Sequence, residues 1–259
     1  MSSFNNRIVF ISGASSGIGR SCAYKFAEAG ARLILIARRR ERLKKIAEDL
    51  KKSFKTESYL GTIDVRDCAS VEKFVRKLPP KWQQIEILIN NAGLSRGLQK
   101  IQEGQLEDWE EMIDTNIKGL LYISRAVLPG MTERKKGTIV NIGSIAGHEV
   151  YPSGNVYCAT KHAVDALTKG MRLDLVDTPI RVCTIDPGLV ETEFSEVRFH
   201  GDKDRAKKTY LNMTPLSPQD VADAVYYAAS RPAHVQIAEL IIMPTAQAST
   251  TLVHRTHTP

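Results

Sequence analysis

The chain has 259 residues, a length that suits one α/β domain, and no Pro/Ser-rich linker or internal repeat divides it. Its net charge of +7 raises the question of nucleic acid, but Lys and Arg are spread along several helical patterns with no aromatic-interleaved basic tract, so solvated faces and an anionic small-molecule site account for the charge. No apolar run reaches membrane-spanning length, no signal peptide precedes the first strand, and four cysteines without a C-x-x-C pair read as reduced thiols in a cytoplasmic protein.

The first apolar run, Ile8–Ile11, reads as a buried strand and leads into Ser12-Gly13-Ala14-Ser15-Ser16-Gly17-Ile18-Gly19. A helical pattern from Arg20 follows, with Cys22, Ala23, Phe26 and Ala27 inward and Gly30 as its stop. Strand, glycine turn and helix open a dinucleotide-binding unit: glycines let the backbone approach a pyrophosphate, and the helix start offers free N–H groups. The spacing is G-x-x-x-G-x-G rather than G-x-G-x-x-G, and a flexible turn is the bland alternative.

After the second strand, Leu33–Ile36, a carboxylate for ribose hydroxyls is expected; Ala37-Arg38-Arg39-Arg40 stands there instead. Guanidinium groups suit a 2′-phosphate, which favours NADP over NAD through Arg38 and Arg39. The alternative is the charged start of an amphipathic helix over Arg38–Lys52, with Arg40 the arginine most suited to plain surface. Further strand-like runs are Ser58–Ile63, Ile85–Ile89, Gly137–Ile142, Val182–Ile185 and Glu239–Met243, separated by helical patterns that include Asp108–Pro129 and Asn155–Leu175. Such alternation predicts a doubly wound, Rossmann-type parallel sheet of seven strands with helices on both faces. Pro79-Pro80 reads as a loop inside this domain.

Tyr157 and Lys161, four apart on the last of these helices, share one face. A phenol titrates near 10 (about 10 in free form), and an adjacent ammonium brings it toward the working range. With the Ser144 hydroxyl beside it, the pair suits proton transfer to or from an alcohol while a hydride moves at carbon. Tyr and Lys at this spacing are also an ordinary packing pair. The six histidines form no H-x-x-x-H ligand pair, so no metal is indicated.

Taken in order, these motifs identify the chain as a member of the short-chain dehydrogenase/reductase family in its compact form, over nearly its full length. The glycine turn resembles T-G-x-x-x-G-x-G with Ser12 for threonine; Asn90-Asn91-Ala92-Gly93 resembles N-N-A-G; Ser144 and Tyr157-x-x-x-Lys161 match the serine and Y-x-x-x-K; Pro187-Gly188 matches the P-G turn. The stretches Ala37–Leu43, Pro187–Ser195, Val197–Asp202 and Ile242–Ser249 are most similar to the NADP-dependent 3-hydroxy acid dehydrogenases, whose members oxidise L-allo-threonine, serine or 3-hydroxyisobutyrate and reduce malonic semialdehyde. A V-D-G-G ending, common in 3-oxoacyl-carrier-protein reductases, is absent.

The resemblance implies roles. Tyr157 is the general base in oxidation and acid in reduction, Lys161 lowers its pKa and holds the nicotinamide ribose, Ser144 fixes the substrate oxygen, and Asn116 holds a water beside Lys161. Gly13, Ser15, Gly17, Ile18 and Gly19 follow the pyrophosphate, Asp64 and Val65 the adenine, Asn91, Ala92 and Gly93 the adenosine ribose, and Pro187, Gly188, Val190 and Thr192 the nicotinamide. Asn116 also fits a helix-interior amide, and Asp64 a strand-end cap. Arg198 is the candidate grip for a substrate carboxylate, equally readable as a solvated helix arginine; His148 is a candidate polar contact or a plain loop residue.

A substrate lid is expected over about residues 190–212 and a C-terminal tail over about 244–259. The two long helices imply a homotetramer, with Ala159, Ala163, Ala166 and Gly170 allowing close approach; packing within one subunit is the alternative. Competing functions are reduction of neutral ketones or 3-oxoacyl substrates and, in another class, a catalytically silent NADPH-binding regulator. Retention of both Tyr157 and Lys161 argues against the regulator.

Overall fold

The computed structural model describes residues 4–256; the last residues of the expected tail (257–259) lie outside the described residues. Seven parallel strands form one sheet in the order β3-β2-β1-β4-β5-β6-β7. They are β1 (Ile8–Ser12), β2 (Arg32–Ala37), β3 (Ser58–Thr62), β4 (Ile85–Asn90), β5 (Gly137–Ile142), β6 (Ile180–Pro187) and β7 (Glu239–Ile242). The order reverses between β1 and β4, and a ligand crevice is expected at the carboxyl ends of those strands.

Alternate strand residues feed two cores. Val9, Ile11, Leu33, Leu35 and Val140 pack against α1 (Gly17–Glu28) and α2 (Arg40–Phe54), together with Val221 and Val225 of a C-terminal helix, Pro218–Ala229. Phe10, Ile34, Leu88, Ile139 and Val182 face the other way, against α3 (Cys68–Arg76) and Ile123, Val127 and Met131 of the helical segment that follows β4. Each such fully buried side chain contributes about 1.5–3 kcal/mol relative to exposure, so apolar strands covered on both faces are the expected solution for a parallel sheet.

Several boundaries differ from the expected ones for local reasons. α1 begins inside the glycine turn at Gly17. The pattern read as Asp108–Pro129 is two helices, α4 (Leu106–Ile113) and α5 (Gly119–Glu133), joined by a π turn at Asp114–Lys118. The widened turn brings Asn116 inward, where its amide is bonded, and α5 runs past Pro129 to Glu133. Residues Pro80–Trp82 form a short 3-10 turn rather than an irregular loop. The next helix, α6 (Asn155–Asp174), follows the expected span closely.

The lid stretch contains α7 (Phe194–Arg198) and α8 (Lys203–Lys208), ahead of α9 (Pro218–Ala229), which a Ser217–Asp220 capping box starts. The described part of the tail fastens this stretch: Arg255 donates to the Leu211 and Thr209 carbonyls, and Thr256 N–H to that of Asn212. On α6, Ala159 and Ala166 are exposed, so this chain's own fold does not cover that face. Among the described residues, no helix is long and apolar enough to cross a membrane.

Candidate active site

A cleft of about 620 Å³ opens at the carboxyl ends of β1 and β4, where the strand order reverses. Gly13 and Gly17 lie in left-handed backbone, at φ of +64° and +51°, so the turn at its floor needs glycine. A Cβ at Gly13 would lie 2.8 Å from Asn91 Nδ2. Ser16 precedes α1 without capping it, and the first turn of α1 carries no acidic residue. By contrast Asp67, Asp202 and Ser217 cap their own helices. The N–H groups at the start of α1 are thereby left for an anion.

The Ser12 hydroxyl ties this turn to the loop after β4: it accepts from Asn91 N and Ala92 N, both at 3.0 Å. Asn91 Nδ2 returns bonds to the Ser12 and Gly13 carbonyls. Ser15, Ile18, Val65, Ala92 and Gly93 also line the cleft, as do Pro187, Gly188, Val190 and Thr192 on the opposite wall. Gly19 does not line it; it allows α1 to approach Asn91 and the Gly13 carbonyl, where a side chain would collide.

Arg38 and Arg39 both border the cleft beside Asp64. Arg39 is held by the Ser15 hydroxyl (3.1 and 3.0 Å), the Ser16 hydroxyl (2.6 Å) and Glu193 (2.7 Å). Arg38 sits 3.6 Å from Glu111 and is more exposed. Burial works against the Asp64 carboxylate, but bonds from Arg66 outweigh it and hold its pKa below the usual range. Asp64 also accepts from Arg66 N at 3.0 Å, so it shapes its own turn as well as facing the cleft.

Ser144, Tyr157 and Lys161 meet at the inner end of the cleft. Burial raises the Tyr157 pKa; Arg198 is the leading charge that opposes this, followed by the Ser144 hydroxyl. Lys161 stands one helical turn beyond Tyr157 on α6. Its Nζ donates to the Ile142 carbonyl at 2.9 Å and lies 5.9 Å from the phenol ring centre. Burial lowers the Lys161 pKa to about 8, with Asp186 acting in the opposite sense.

Asn116 bonds within the fold through both atoms of its amide. Its Oδ1 accepts from Leu94 N (2.8 Å), and Nδ2 donates to the Leu94 carbonyl (2.8 Å) and Thr160 Oγ1 (3.0 Å). The side chain pins the loop that carries Gly93 against α6.

Arg198 lines the cleft and is half-buried. Its guanidinium stands 5.2 Å from the Tyr157 ring centre and 5.1 Å from that of Phe194, and it donates to Tyr151 Oη at 3.0 Å. Its Nε is buried with no hydrogen-bond partner among the described residues. His148, the other proposed substrate contact, is not in the cleft: it follows the turn Ile145–Gly147 and points behind Ser144 toward Asp186 and Glu239. The sequence reading missed Tyr151, Phe194 and Tyr210, which wall the cleft. Tyr210 Oη donates to the Val190 carbonyl and pairs with Ser195 Oγ, both at 2.8 Å, so it braces the lid. Aromatics bracketing the Tyr157 helix and the P-G turn were the available signal.

Comparison with known proteins agrees with this geometry. A family model described as short chain dehydrogenase matches residues 7–203. The NADP-dependent 3-hydroxy acid dehydrogenase YdfG of Salmonella typhi is 47% identical over 250 residues, covering 96% of this chain and 99% of that protein. Sulfoacetaldehyde reductase 2 of Chromohalobacter salexigens is 45% identical over 242 residues, covering 93% and 95% respectively. A structure of the closed form of serine dehydrogenase complexed with NADP+ superposes with a TM-score of 0.90 at 47% identity, over 96% of this chain and 100% of that one. The chain belongs to the short-chain dehydrogenase family.

Proposed function

We propose that this protein is an NADP-dependent dehydrogenase interconverting a short 3-hydroxy acid and its 3-oxo acid or semialdehyde. The observation that carries the acid part is Arg198, a half-buried guanidinium with an enclosed, unpartnered Nε beside the Tyr157 phenol. A carboxylate bonded there brings the neighbouring hydroxyl toward Tyr157 and Ser144. The residues also fit the cofactor: a glycine floor, an uncapped helix start, and Arg39 held ready by Ser15 and Ser16. When bound, the nicotinamide accepts or supplies the hydride.

In oxidation, Tyr157 Oη takes the hydroxyl proton as the hydride leaves the same carbon; in reduction it returns that proton. Ser144 holds the substrate oxygen, Lys161 the cofactor ribose, and Asn116 keeps the Gly93–Leu94 loop in place beside them. Arg38 and Arg39 receive the 2′-phosphate and Asp64 borders the adenine end. The uncovered small-residue face of α6 supports a homotetramer, and four free thiols suit a reducing, cytoplasmic compartment.

The test is NADP+ reduction with L-allo-threonine, L-serine and 3-hydroxyisobutyrate, each beside its methyl ester. Turnover of a free acid, weaker for its ester and lost in Tyr157→Phe, is the expected result. Equal turnover of acid and ester moves the assignment to neutral ketones. A sulfonate aldehyde belongs in the same panel, because a guanidinium also binds sulfonate.

A further inference from the structure

Behind the Ser144 wall of the cleft, three segments far apart in sequence bring His148, Asp186 and Glu239 together. His148 follows the Ile145–Gly147 turn, Asp186 is the penultimate residue of β6, and Glu239 opens β7. Glu239 pairs with Thr184 in the sheet, so it projects on the same face as Asp186. His148 Nε2 lies 3.5 Å from Asp186 Oδ2 and 3.5 Å from Glu239 Oε1, and all three donor atoms fall within 4.8 Å of one another. Around a tetrahedral ion with bonds of about 2.1 Å, donors stand about 3.4 Å apart.

Two of the three donors are also unsatisfied. Asp186 is 1% exposed, and both its Oδ2 and His148 Nε2 are enclosed without a hydrogen-bond partner among the described residues. Burial raises the Asp186 pKa against the opposing Thr184 hydroxyl, and Oδ2 closes no hydrogen bond of ordinary geometry. The nearby ammonium groups are engaged elsewhere, Lys161 with the Ile142 carbonyl and Lys169 with Asp165. An unpaired buried carboxylate oxygen is costly, and an imidazole nitrogen between two carboxylates is a donor set for zinc rather than for calcium or magnesium.

We propose that His148 Nε2, Asp186 Oδ2 and Glu239 Oε1 bind one zinc-class divalent cation, with the partly exposed His148 and Glu239 leaving access for the ion and a water as fourth ligand. The site is distinct from the hydride-transfer cleft and does not depend on the assigned substrate. It bears on the cleft mechanically, because Asp186 Oδ1 accepts the Ser144 backbone N–H at 3.0 Å. A cation on Oδ2 fixes the carboxylate that fixes Ser144.

The test is cobalt titration of the purified full-length chain after chelator treatment. The expected result is one equivalent per chain, tetrahedral d–d bands without a thiolate charge-transfer band, and a raised melting temperature. His148→Gln and Glu239→Gln each weaken binding by at least about 100-fold, the upper figure for losing a mere supporting contact, and remove the melting shift while NADPH binding stays unchanged. Absence of saturable binding, a thiolate band, or equal binding by either variant overturns the three-ligand site.

Discussion

Replacing Arg39 by Gln tests the 2′-phosphate assignment. Four hydrogen bonds, donated to the Ser15 and Ser16 hydroxyls and Glu193, hold the guanidinium at 2.6–3.1 Å before any ligand arrives. It therefore spends little ordering entropy on binding. A hydrogen bond to a charged group is worth about 1.5–3 kcal/mol. With Arg38 retained on the other side, a loss of about 2 kcal/mol is expected, about 30-fold in NADP+ dissociation constant. NAD+ lacks the phosphate, so its kcat/KM stays within a factor of about two. Glu193 acts in the opposite direction, because its carboxylate occupies Arg39 and Arg42 at 2.7 and 2.6 Å. Both partners are about two-fifths exposed, and such pairs are worth about 0.2–1 kcal/mol. Glu193→Gln is therefore expected to tighten NADP+ by up to about fivefold, a gain that shrinks in the Arg39→Gln background. Steady-state kinetics with both cofactors and fluorescence titration with NADPH measure all four terms of the cycle. Equal losses for NADP+ and NAD+ after Arg39→Gln, or an NADP+ loss under threefold, refute the reasoning.

Other consequences follow from the same geometry. Arg198→Gln removes the leading charge that opposes the raised Tyr157 pKa, so the ascending limb of the oxidation profile moves to higher pH; a limb that stays or moves down contradicts this. Lys161 has a folded pKa near 8 against 10.5, so the unfolded chain binds the extra proton between those values and the group's stability cost fades as pH rises through that window. Lys161→Met should therefore stabilise the folded chain at pH 7 by up to about 3 kcal/mol while abolishing turnover, as read by urea unfolding at pH 7 and 10. Gly19→Ala crowds Asn91 and the Gly13 carbonyl and should cost about 1–3 kcal/mol with weaker NADPH binding; an unchanged urea midpoint would count against the packing argument.

The fold was legible because both its signals are local. Apolar runs and glycine turns mark each strand, and their alternation with helical patterns leaves few topologies open. The cleft was legible where short motifs carry it, as in the Ser12–Gly19 turn and the Tyr157–Lys161 pair, which the structure brings to one cavity. What escaped depends on contacts across the chain. The π turn at Asp114–Lys118 is one extra residue in a helical period, visible only once Asn116 is seen bonded to Leu94. A second charge beside Tyr157 comes from the lid, because α7 packs Arg198 over the phenol while Lys161 stands over it from its own helix. His148 fell on the wrong side of Ser144, since a residue just past a turn can point either way, and only the register of β6 against β7 places its partners.

The position of Arg198 makes one group serve two purposes that compete. In the enzyme without substrate it favours the phenolate form of Tyr157. A carboxylate gripping the same guanidinium cancels much of that charge, so substrate binding pushes the phenol pKa up. kcat/KM for oxidation reports the enzyme before substrate binds, and kcat the enzyme with it. With a 3-hydroxy acid, the ascending limb of kcat should therefore lie at higher pH than that of kcat/KM. With the methyl ester the guanidinium stays uncancelled and the two limbs should coincide more closely. In reduction the same shift is favourable, because it keeps Tyr157 protonated and ready to donate. A kcat limb below the kcat/KM limb for the free acid would mean that the carboxylate is held elsewhere and that Arg198 serves the phenol alone.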